Sequence, residues 1–81
     1  MNDQTRLLLG YLETYKTITS AEAFNELGIS RLSARIFDLR EEGYDISLSM
    51  KSGRNRYGKT VSYGVYRLEA APDDSGQLRF L

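Results

Sequence analysis

The hydrophobic period of this chain changes once, at Gly43, and that change constrains the fold class. Ahead of Gly43 apolar residues recur at helical spacing, and beyond it they alternate. Leu7, Leu8, Tyr11, Leu12 and Tyr15 mark a first helix with Asn2 or Asp3 as its N-cap. Gly10 costs that helix stability, which predicts a close neighbour there. Thr17-Ile18-Thr19 reads as a short extended link, and Thr19 with Glu22 three residues on is the capping-box signal of a second helix. That helix is expected to bury Ala23, Phe24 and Leu27 and to end at Gly28 in a left-handed conformation. After Ile29, Ser30 is expected to cap a third helix that runs to Glu42 and is closed by Gly43. Leu32, Ile36 and Leu39 form its buried stripe, which leaves Arg31, Ala34, Arg35, Asp38 and Glu42 opposite.

Beyond Gly43 the apolar Tyr44, Ile46, Leu48 and Met50 alternate with Asp45, Ser47 and Ser49. A polar stretch from Ser52 to Thr60 follows, and alternation resumes through Val61, Tyr63, Val65 and Leu68. The expected architecture is α+β, three helices followed by a hairpin around a long basic turn. Residues 1–69 form the expected domain and residues 70–81 a tail. Pro72 to Gly76 has turn chemistry, and the apolar end at Leu78, Phe80 and Leu81 suits a loosely held segment, an added strand or a partner contact.

At 81 residues the chain can hold one hydrophobic core. The absence of Cys and His removes the usual zinc-ligand sets, disulfides and every nucleophile–histidine pair. No catalytic residue, metal ligand or cofactor is expected, and the chain reads as a binder rather than an enzyme. The longest apolar run, Leu7-Leu8-Leu9, is far short of a membrane span, and the Asp3-containing start has no signal-peptide core. The expected location is therefore the cytoplasm, with no membrane partner.

Eleven basic residues balance eleven acids, but unevenly. Residues 1–28 carry Asp3, Glu13, Glu22 and Glu26 against Arg6 and Lys16. Residues 51–67 carry Lys51, Arg54, Arg56, Lys59 and Arg67 with no acid among them. Such a stripe on a neutral chain can still make an electrostatic footprint for phosphates.

The second and third helices, joined at Gly28-Ile29-Ser30, have the helix-turn-helix pattern. The first of the pair braces the second, whose N-terminal half can enter a major groove. Arg31 and Arg35, four apart, are expected on one face, where an arginine can bond guanine O6 and N7 together. Ser33 and Ala34 are small enough for close approach, and Ser30 can meet a phosphate at the helix end. The downstream turn, Lys51 to Thr60, supplies a basic ribbon tip. Arg54 and Arg56 suit a narrow minor groove, Lys51 and Lys59 suit phosphates, Tyr57 suits a sugar or base, and Asn55 joins them among the wing's DNA-binding residues.

On these residues the chain resembles a known family. The run from Ile29 to Ile46, with its Leu39-x-x-x-Gly43-Tyr44-x-Ile46 pattern, looks like the recognition-helix-and-strand segment of winged helix-turn-helix domains. Tyr57-Gly58-Lys59 and Tyr63 to Leu68 look like that family's wing and returning strand. More narrowly, the chain is similar to small winged-helix proteins of bacteriophages and prophages, over residues 5–69. The resemblance implies a double-stranded DNA binder of α-α-α-β-β order, with Ile18 in a short additional strand. It further implies a phage or prophage transcriptional regulator or an excision accessory factor, associated with the host nucleoid. Asp38 and Glu42 depart from a wholly basic recognition face. One small module binds modestly, so a homodimer or cooperative neighbours on DNA are expected. The alternative is a winged-helix module that binds a host protein and inhibits or redirects it.

Gly53-x-x-x-x-Gly58-Lys59-Thr60 matches the nucleotide phosphate-loop pattern letter for letter. That chemistry requires the loop between a strand and a helix, whereas Val61 to Leu68 alternates as a strand. The match is read as coincidence, although the same amides are available in principle to a DNA phosphate.

Overall fold

The computed structural model describes residues 2–72 and 78–80. Seven elements follow in order: α1 (Asp3–Tyr15), β1 (Thr17–Thr19), α2 (Ser20–Leu27), α3 (Leu32–Glu41), β2 (Asp45–Arg54), β3 (Thr60–Pro72) and β4 (Leu78–Phe80). All strand pairs are antiparallel, in the order β1-β3-β2, with β4 also on β3. The short strand at Ile18 is present, and Ile18 sits opposite Tyr66 of β3.

Local chemistry sets most helix ends. The Asn2 side chain accepts from the Thr5 amide at 2.7 Å and caps α1. Thr19 and Glu22 form both halves of the capping box. Gly28 ends α2 at φ 69°, where its amide and that of Ile29 return to the Phe24 and Ala23 carbonyls. Gly43 lies at φ 101°, and a Cβ there would also come within 3.2 Å of Pro72. Lys16 ends α1 left-handed at φ 72°, a conformation that costs a side-chain-bearing residue energy. Its carbonyl accepts the Leu68 amide at 2.9 Å and ties α1 to β3.

The core joins every layer: Leu8 and Leu12 of α1, Ile18, Ala23, Ile29, then Leu32, Ile36 and Leu39 of α3, with Ile46 and Leu68 from the sheet. Burying each large aliphatic contributes about 1.5–3 kcal/mol. The expected α3 stripe is therefore the observed one.

Three expectations about packing fail. Phe24 is 63% exposed, because the short α2 reaches the core through Ala23 and Leu27 and leaves Phe24 on the flank of that stripe. Gly10 is exposed and has nothing within 4 Å of a built Cβ, so no close neighbour explains it. Half of the long turn from Lys51 to Thr60 is ladder. β2 continues through Arg54, β3 begins at Thr60, and the turn proper is residues 55–59.

Strand β3 also runs past residue 69, with Ala70 wholly buried, and pairs with β4 at residues 70–72. The expected turn residues Asp73 to Gly76, together with Met1, Gln77 and Leu81, lie outside the described residues. The hairpin carries on beyond the core, since past Ile46 on β2 and before Leu68 on β3 no residue is fully buried. The molecule measures 50 × 23 × 19 Å.

Candidate nucleic-acid interface

Four residues, 28–31, connect α2 to α3. Ile29, 1% exposed, is the anchor of this turn, and its amide still belongs to the closing bonds of α2. Helix α3 therefore starts at Leu32, whose side chain enters the core, and the N-cap position falls to Arg31. Ser30 is not the cap, and no side chain caps this helix. Ser30, Arg31 and Ser33 are exposed, and Ala34 is half-buried.

Arg31 and Arg35 do not share a surface role. Arg35 is half-buried, with Nε 3.0 Å from Asp38 Oδ2 in an ion pair not aligned as a hydrogen bond. Its Nη1 donates to Gln4 Oε1 at 3.4 Å. Asp38 Oδ2 lies 3.1 Å from the hydroxyl of the fully buried Thr5, whose single proton is shared with Asn2 Oδ1 at 2.8 Å. Asn2, Gln4 and Thr5 on the α1 side thus brace Arg35 and Asp38 of α3. The sequence reading placed Arg35 and Asp38 on the open face, whereas the fold turns them toward α1.

Phe37 takes the open position instead. It is 60% exposed at the middle of α3, one turn beyond Ser33. The signal was available: with Leu32, Ile36 and Leu39 as the buried stripe, residue 37 falls on the far side, where a phenylalanine is out of place for packing alone. Arg40 was also overlooked. Its Nη2 and Nε donate to the Ile46 carbonyl at 2.7 and 3.3 Å and tie α3 to β2.

In the hairpin the cations spread over both faces. Lys51 stands opposite Tyr63 on one face, and Arg54 opposite Thr60 on the other. Asn55 organises the tip. Its Oδ1 accepts the Tyr57 and Lys59 amides at 2.9 and 3.1 Å, and its backbone exchanges bonds with Lys59 and Gly58. The amides of Tyr57, Gly58 and Lys59 are thereby used inside the turn. With strands on both sides, this loop has neither a following helix nor a cradle of open amides, so the phosphate-loop match carries no nucleotide chemistry and those three amides are not offered to DNA.

What remains open at the tip are side chains. Arg54, Arg56 and Lys59 are exposed, and Tyr57 is 79% exposed. The ion pairs found among the described residues are Arg35–Asp38 and Arg67–Glu69, so none neutralises Lys51, Arg54, Arg56 or Lys59. An open cleft of about 570 Å³ separates the start of α2 from the hairpin, lined by Thr19, Ser20, Ala21, Met50, Ser62, Tyr63 and Gly64. Among the described residues no group of three or more His, Cys, Asp or Glu is gathered, and no helix is long and apolar enough to cross a membrane.

Three helices with a helix-turn-helix pair, a short first strand and a basic hairpin define a winged-helix module, a class whose usual partner is DNA and whose members are typically not enzymes. The match to the family model described as "Winged helix-turn-helix domain" spans residues 3–71, and the chain belongs to that family. No significant match was found among curated proteins or solved structures.

Proposed function

We propose that the protein recognises double-stranded DNA in a sequence-dependent way, as a transcriptional regulator or an excision accessory factor of the phage and prophage type, in the nucleoid of a bacterial cytoplasm. The observation that carries this reading is the segregation of charge. Lys51, Arg54, Arg56 and Lys59 are exposed on one hairpin and have no ion-pair partner among the described residues, while Arg35 is held within the helical half. Cations left bare on a projecting ribbon suit a polyanion.

Arg31, Ser33 and Ala34 would read bases from the start of α3, with Ser30 at a phosphate. Phe37 adds a surface suited to a thymine methyl. Lys51, Arg54, Arg56 and Lys59 would follow backbone or minor groove, with Tyr57 against a sugar or base, and Asn55 would contribute by shaping the tip. Arg35 would act by fixing the pose of α3. Two copies, as a homodimer or as neighbours on DNA, would raise a modest single-module affinity.

The test is fluorescence anisotropy with mixed genomic duplexes over a salt series. Affinity should fall by about 0.9 log units per log unit of salt for each phosphate contacted, with some fragments retained preferentially. No binding at low salt would overturn the reading. A second reading, a module that docks on a host protein, draws on the exposed Phe24 and Phe37. Binding that survives neutralisation of the hairpin but not Phe37→Ser would favour it.

A further inference from the structure

The outer edge of β2 is unpaired among the described residues. The Leu68 amide donates to Lys16, so at that position β3 faces β1 and turns its back on β2. Ile46, opposite Leu68, correspondingly points its carbonyl away from β3, and Arg40 takes it at 2.7 Å. The register is unbroken from Ile46 to Arg54. Antiparallel alternation therefore aims the backbone groups of Leu48, Met50, Ser52 and Arg54 outward. Leu48 and Met50, 50% and 65% exposed, flank this edge. Long edges of this kind are usually blunted, and here Arg40 shields only the Ile46 end.

We propose that a second copy of this chain adds to the β2 edge, antiparallel, about a two-fold axis at Met50. Three features choose that occupant and register. First, an axis at Leu48 or Ser49 would draw on the Ile46 carbonyl that Arg40 already holds. Second, an axis at Lys51 would set two ammonium groups face to face. The Met50 axis keeps the ammonium groups apart and sets Ile46 opposite the partner's Arg54 only at the last position of the ladder, where its carbonyl can stay with Arg40; it pairs Leu48 with the partner's Ser52 and packs the two Met50 side chains together. Third, charge runs in opposite senses along the hairpin. Its tip carries Arg54, Arg56 and Lys59, while its base carries Asp45 and adjoins the Glu41-Glu42 end of α3. Antiparallel pairing sets the basic tip of each copy beside the acidic base of the other, which a neutral chain can satisfy twice over.

The inference does not rest on DNA binding, and its test contains none. Sedimentation equilibrium of the full chain over a concentration series should show a reversible dimer of twice the 9.2 kDa mass. Met50→Lys, at an exposed position, should leave the circular dichroism unchanged and weaken the dimer by at least about tenfold, since two like charges would meet on the axis. Asp45→Lys should weaken it as well, and adding Arg54→Glu to that variant should restore much of the loss. Amide exchange at Met50 and Ser52 should slow as concentration rises. A chain that stays monomeric into the millimolar range would overturn the proposal. So would a dimer indifferent to Met50→Lys, whether its contact were the 78–81 end or a helix face.

Discussion

The two arginines that best represent the two halves of this molecule are Arg35 and Arg56. Arg35 lies against Asp38 and Gln4 and helps set α3 on α1. Arg56 stands exposed at the hairpin tip, with no ion pair to it among the described residues. The helical half is held by burial and consumes its polar groups in bracing and capping. The hairpin is held mainly by its ladder and by the Asn55 side chain at its tip, and no ion pair among the described residues uses Lys51, Arg54, Arg56 or Lys59. The residues available for recognition are those the fold has not already used, and on that ground the hairpin holds more of them than α3.

The comparison would break most visibly if the helical half were not the seat of stability. Leu39→Ala should cost about 2–5 kcal/mol in denaturant unfolding, because it opens a cavity at a wholly buried position. Met50→Ala on the hairpin should stay within about 0.5 kcal/mol. Similar losses at both positions would mean that the hairpin folds as part of the core. The junction between the halves comes next. Gly43→Ala should destabilise by about 1–3 kcal/mol, since its φ of 101° disfavours any side chain and a Cβ would press on Pro72.

The arginines themselves sharpen the contrast. Arg56→Ala should leave unfolding unchanged, weaken every duplex alike and lower the salt slope by about one. Arg35→Ala should instead lower stability by up to about 1 kcal/mol, the scale of a partly exposed ion pair, without reducing that slope. If Arg35→Ala removed one salt-sensitive contact and left stability intact, the bracing role assigned to it would be wrong. Smaller again is Gly10→Ala, expected to stabilise by about 0.5–1 kcal/mol, since the position is mid-helix and its Cβ would meet nothing.

What the sequence disclosed follows the same division. Helix limits at Thr19, Gly28 and Gly43 were readable because caps are local: residue and partner lie within a few positions. The α3 stripe was readable because one buried face imposes a period. The strand character of Lys51 to Arg54 was not, because a ribbon wet on both faces carries no alternation, and the ladder bonds that hold it leave no mark on side-chain type. The bracing of Arg35 was equally hidden, since Gln4 lies 31 residues away and only the packing of α1 on α3 brings them together. Phe37 is the instructive case. The pattern that identifies its buried neighbours also places it outward, although no charge marks the position.

The smallest effect belongs to Tyr11, which lies in the helical half but at its margin. Its ring packs 4.6 Å from that of Tyr15, and its hydroxyl donates to Glu22 Oε2 at 3.3 Å. Partial burial, followed by the negative charge and hydrogen bond of Glu22, raises the phenol above its ordinary value near 10. A raised value means that the fold favours the protonated phenol. Its contribution is therefore complete below the unfolded-state value and fades as pH rises through the folded one. Spectrophotometric titration at alkaline pH should show one tyrosine ionising late, and Glu22→Gln should bring it closer to the ordinary range. Because Glu22 also closes the capping box of α2, that variant should lower stability at neutral pH as well, whereas Tyr11→Phe removes the late titration and leaves the box in place. A late phenol that persisted in Glu22→Gln would assign the shift to burial together with the neighbouring Glu26 and Tyr15, and the margin of α1 would then resemble the core more than the hairpin.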